Sequence, residues 1–160
     1  MIPVLLTWLN SFNGVSIDSA SDIADGSVLC RVLNDVDAAY FPKDLIRPDS
    51  SGNPVLRNSN LQLIHKSILE YYQTVLHMSL PANSVLLPSY DDQALMQLVE
   101  KVLGIAVLGP HKKQYIEMII ALPPEVQAEL MPVVSRIVES QENGGDIGAD
   151  HGAPVTPQQN

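Results

Sequence analysis

Residues 91–109, DDQALMQLVEKVLGIAVLG, constrain this chain more than any other stretch. Beyond Leu98 the segment is apolar on almost every side, and a helix of that kind has to be enclosed by other elements. Asp91 and Asp92 stand where they complement the positive end of a helix dipole. Gly109 and Pro110 end the pattern. The rest of the chain therefore has to supply enough amphipathic segments to surround one central helix.

Those segments are present. In residues 3–12, Val4, Leu5, Trp8 and Leu9 recur at helical spacing, and Pro3 suits a first helical turn. Asn13 and Gly14 then signal a turn. In DIADGSVLCRVLNDVD, Leu29, Val32, Leu33 and Val36 form one face of a second predicted helix, with Asp22 or Asp25 placed to cap its start. Residues 38–55 read as a loop region, with a turn cluster at Ser50, Ser51, Gly52 and Asn53 and one helical turn at 44–46. The longest predicted helix covers 55–77, where Leu61, Ile64, Ile68, Tyr71, Tyr72 and Leu76 keep the 3–4 spacing. Residues 78–90 read as extended. Alternation of strand period is nearly absent, so the pattern is all-α.

A chain of 160 residues is one domain's worth and long enough to bury a core without metals or cross-links. Its single cysteine, Cys30, lies among core-type residues and reads as an inert buried thiol in a reducing compartment. The formal net charge is −9, and among nine basic residues only Lys112 and Lys113 are adjacent. That balance argues against nucleic acid, anionic membranes and direct binding to an acidic filament. The histidines His65, His77, His111 and His151 fall on separate segments without metal-ligand spacing, and no nucleophile or phosphate-loop motif is present. No catalytic, cofactor or metal site is expected. From Gln141 the chain turns to Gly, Pro, Asp and Gln, so the folded unit is placed at 1–139 and a disordered tail at 140–160.

The last helical stretch, PPEVQAELMPVVSRIVES, carries apolar residues over an unusually wide arc. On a wheel of about 100° per residue counted from Val126, Leu130, Val133 and Ile137 fall within roughly 20–40° of it. Gln127, Met131, Val134 and Val138 form a second stripe at roughly 80–140°. The expectation is that the first stripe packs on the domain and the second takes a partner's helix. Pro132 removes one backbone bond from the helix interior and is expected to mark a kink or a bend.

Four blocks taken in order, LLTWLNSF, DIADGSVLCRVLNDVDAAYF, NSNLQLIHKSILEYYQTVL and DDQALMQLVEKVLGIAVLGPHKKQYIEMI, resemble the N-terminal domain of Hook family proteins. The resemblance implies a calponin-homology-like helical bundle with an added C-terminal helix, and no enzyme activity. It implies a domain that precedes a dimeric coiled coil and, as an isolated piece, is a monomer. It also implies binding of an amphipathic helix from the dynein light intermediate chain, so that the full-length protein links cytoplasmic dynein and dynactin to cargo such as endosomes, in the cytoplasm and on the cytoskeleton. Carried over position by position, the family's binding glutamine lands on Gln127 and its branched aliphatic on Val134. Met131 lies between them, and Ile120 and Val138 join by geometry. Substituting Gln127 or Val134 by alanine is expected to weaken binding without disturbing the fold. The alternative that a calponin-homology relationship raises is direct binding to microtubules or actin.

Overall fold

The computed structural model describes residues 2–46, 53–78 and 85–142. They form six α-helices, with no strand among the described residues: α1 Ile2–Asn10, α2 Ser27–Val36, α3 Pro54–Thr74, α4 Asp92–Leu108, α5 Lys112–Ile120 and α6 Pro124–Glu142. The turn cluster at 50–52, the extended reading over 79–84 and the tail from 143 onward lie outside the described residues.

The enclosed helix is α4. Every residue from Lys101 to Leu108 is buried, and α4 packs against each of the other five helices. Its start is held by Asp91, whose carboxylate accepts the Ala94 N–H at 2.8 Å. That bond satisfies one of the four amides a helix start leaves unpaired. Asp91→Ala should therefore lower stability by about 1 kcal/mol in urea denaturation, whereas Asp92→Ala, which removes only a dipole contact, should cost less than half as much. Equal losses at the two positions would contradict the cap.

The predicted second helix is two elements. Ala20–Ile23 form a short 3-10 turn, and α2 begins only at Ser27. Gly26 separates them at φ +86, a backbone region that side chains rarely adopt. A Cβ there would also stand 2.9 Å from Ile64 Cδ1 of α3, so both the turn and the close approach need glycine. The two aspartates are then shared out. Asp22 accepts the Asp18 and Ser19 N–H groups ahead of the 3-10 turn, and Asp25 accepts the Ser27 N–H and hydroxyl. The two backbone bonds hold the Asp22 carboxyl below its usual range.

Asn10 fixes the loop after α1 by pairing both ends of its amide with the Ile17 backbone, at 2.8 and 2.9 Å. Helix α3 stops at Thr74, earlier than its apolar spacing suggested. His77 turns the chain at φ +56, and the Leu76 and Met78 amides fold back onto the Tyr71 and Tyr72 carbonyls. Three tyrosine hydroxyls cross-link the bundle. Tyr71 donates to Asp37, Tyr72 to the Lys101 carbonyl and Tyr115 to the Asp35 carbonyl. Burial pushes all three phenols above their ordinary value. Cys30 is buried with its Sγ 3.7 Å from the Pro42 and Lys43 carbonyls, and burial raises its thiol, which keeps it protonated and unreactive.

Candidate functional site

Helix α6 lies in a trough formed by α1, α4 and α5. It begins at Pro124, whose fixed φ suits a first helical position. The Val126 and Gln127 amides both donate to the Pro123 carbonyl at 3.0 Å, which closes the first turn. The Pro123–Pro124 pair therefore makes a short, stiff corner between α5 and α6.

Gln127 holds that corner together. Its Nε2 donates to the Ile120 carbonyl at 2.8 Å and to the Leu122 carbonyl at 2.6 Å. A helix leaves its last four carbonyls without intrahelical partners, and here a side chain from the next helix supplies donors at the end of α5. Both amide hydrogens are thereby used, which leaves the carbonyl oxygen as the remaining polar function of the side chain.

The two stripes of α6 do not divide as the wheel suggested. Leu130, Val133, Val134 and Ile137 are all buried, and Val134 retains only 4 % of its surface. Val126, at the centre of the first stripe, is half-buried. The reason is the trough: helices cover α6 on more than one flank, so the position at roughly 80° is enclosed together with those near zero. Val126 stands in the first turn of α6, where the enclosure is incomplete. Val134 is thus a core residue, and an alanine there removes packing as well as any contact beyond it.

What remains accessible is Gln127, Met131 and Val138, all half-buried, together with Ile120, which is 57 % exposed. Met131 and Val138 rest against the core from outside. Ile120 and Gln127 are joined by the amide bond across the corner. From Gln127 to Val138 this edge of α6 runs for roughly 16 Å, about three helical turns. Ile116, half-buried and four residues before Ile120, extends the edge along α5. Its i, i+4 spacing with Ile120 is visible in QYIEMII. Glu125 and Glu129 are exposed on the same first turns of α6. The Arg136 side of α6 is tied instead to Glu100 of α4 by an exposed ion pair at 3.2 Å, which contributes little to stability.

Pro132 sits inside α6 without interrupting it. Proline removes the bond to the carbonyl four residues back, that of Ala128. Both Pro132 and Ala128 are exposed, so water can satisfy that carbonyl. Placement on the solvent side is what makes an interior proline tolerable here.

Among the described residues no three His, Cys, Asp or Glu side chains stand close enough together to hold a metal ion, and no helix is long and apolar enough to cross a membrane.

The architecture is an all-α, calponin-homology-like bundle with an added last helix, and an accessible apolar edge lies where that helix leaves α5. The solution structure of the conserved domain of the mouse HOOK1 protein has the same fold, with a TM-score of 0.74 and 23 % sequence identity over 86 % of this chain and 90 % of that one. The HOOK domain family matches residues 1–136, and the chain belongs to that family. It is 30 % identical to human Protein Hook homolog 3 over 155 residues and 31 % identical to human Protein Hook homolog 2 over 143 residues. These alignments cover 91 % and 84 % of this chain but only 21 % and 20 % of the relatives, so the chain spans about a fifth of their length. Hook proteins form a non-catalytic adaptor family.

Proposed function

We propose that this domain binds an amphipathic helix from the dynein light intermediate chain along the α5–α6 edge. Through the full-length protein it would thereby connect dynein and dynactin to cytoplasmic cargo. The observation that carries the reading is the accessible row of Ile120, Gln127, Met131 and Val138, a mixed apolar and amide edge of about three turns. A helix laid in such a groove is read through apolar anchors one turn apart, and Met131 adapts to differing partners. Val134 supports the edge from beneath, and Gln127 both fixes the corner and offers its amide oxygen.

Calorimetric titration with a synthetic light intermediate chain peptide tests this. Ile120→Asp should weaken binding by about tenfold or more, since it places a charge at an exposed apolar anchor, while urea stability stays within about 0.5 kcal/mol of the parent. Gln127→Ala should weaken binding and also cost about 1 kcal/mol of stability through the lost α5 cap. Undiminished binding by the Ile120→Asp protein would rule out this edge. Sedimentation of the isolated domain with microtubules or actin at low salt would favour filament binding instead.

A further inference from the structure

A second site lies away from α6, between the middle of α3, the first half of α4 and the 85–90 segment. It is a cavity of about 310 Å³ with Val85 and Leu98 among its apolar walls and His65, Tyr90, Gln97 and Lys101 as its polar ones. The 85–90 wall is held in place: Gln62 of α3 donates its amide to the Leu87 carbonyl, and the Tyr90 hydroxyl lies 2.9 Å from His65 Nδ1. The Tyr90 oxygen also accepts the Leu87 N–H at 3.5 Å. When the Tyr90 hydroxyl donates to Nδ1, the imidazole proton sits on Nε2. His65 is 3 % exposed, and its buried Nε2 has no partner among the described residues. An unpaired buried ring nitrogen of this kind normally finds a partner. Lys101 is 8 % exposed, and the neighbouring Glu100 pairs with Arg136 of α6. Burial and the nearby Lys101 charge lower the His65 imidazole to about 4, so it is neutral at pH 7; burial also lowers the Lys101 ammonium, against the opposing charge of Glu100. An unpartnered imidazole nitrogen and a largely buried lysine thus line one cavity, in a protein of net charge −9.

We propose that this cavity is a binding site for a small carboxylate with a short apolar body. The carboxylate accepts from Lys101 Nζ and His65 Nε2, and the apolar body lies against Val85 and Leu98. One cationic donor matches a monoanion, and the volume is at the lower end of the range for small-ligand pockets. A doubly charged phosphate would find too few donors here.

Amide-resolved NMR titration with hexanoate, with hexanol and inorganic phosphate as comparisons, tests the assignment. Hexanoate should give saturable shifts centred on His65, Tyr90 and Lys101, with hexanol and phosphate each at least about tenfold weaker. Lys101→Met keeps the aliphatic stem and removes the charge; it should abolish the preference for hexanoate over hexanol while thermal stability is retained or raised. His65→Leu should weaken hexanoate about tenfold. Equal affinity for hexanol would show an apolar cavity only, preferential binding of phosphate would show a different ligand class, and no saturable shift below about 10 mM hexanoate would show no site. Each of these results overturns the proposal, as does full hexanoate affinity in the Lys101→Met protein.

Discussion

Gly104→Val should destabilise the domain by about 3 kcal/mol, with Tm falling by roughly 10 °C. Gly104 lies where α4 is crossed on two sides. A Cβ built there would press into the Tyr72 hydroxyl from α3 and stand 3.8 Å from Ile137 Cγ2 of α6. The tyrosine cannot swing away without loss, because it is 1 % exposed and its hydroxyl donates to the Lys101 carbonyl at 2.9 Å. Moving it breaks a buried hydrogen bond and leaves both partners unpaired, which adds to the overpacking. Alanine at the same position gains about 1 kcal/mol of helix propensity and meets the same hydroxyl, so it should fall between parent and valine. Urea denaturation of the three proteins decides the matter. Stability unchanged in Gly104→Val would mean that α3, α4 and α6 do not meet as closely as described.

Leu130→Ala should cost about 3 kcal/mol, a large share of the stability of a single domain. Leu130 is fully buried at the seat of α6 in its trough, and the alanine leaves a cavity that rigid neighbours only partly close. The same variant should weaken partner binding, because the edge formed by Gln127, Met131 and Val138 is displayed by α6. Val134→Ala should follow the same pattern at about 2 kcal/mol. Ile120→Asp separates the two effects, since it alters the edge and not the seat. If Leu130→Ala lowered binding without lowering stability, α6 would be a loosely docked arm and not part of the bundle.

Much of the fold was readable from periodicity, because each helix keeps its own apolar spacing. The central position of α4 followed from its all-round apolar surface. The start of α4 followed from Asp91, and α1 from Val4, Leu5, Trp8 and Leu9, all of which are buried. The boundaries were less legible. Apolar spacing ran through Gly26 without showing that the chain there turns at a positive φ, and it ran past Thr74 because Leu76 keeps the 3–4 spacing and packs against the core although the helix has already ended. In both places the local backbone, and not the hydrophobic pattern, ends the element. Helix α6 also continues to Glu142, beyond the expected end of the folded unit at 139.

By itself the sequence determined the all-α class, the enclosure of α4, the acidic balance and the Hook-type order of its blocks. These depend on spacing and composition along the chain, and a helix wheel measures angle about one axis. The tertiary structure decided how many neighbours stand around that axis. It enclosed Val134 with the core, left Val126 half-open, committed both Gln127 amide hydrogens to the end of α5, and drew His65 and Lys101, 36 residues apart in the chain, to one cavity. Burial is set by what packs across from a residue, and nothing in its own segment records that.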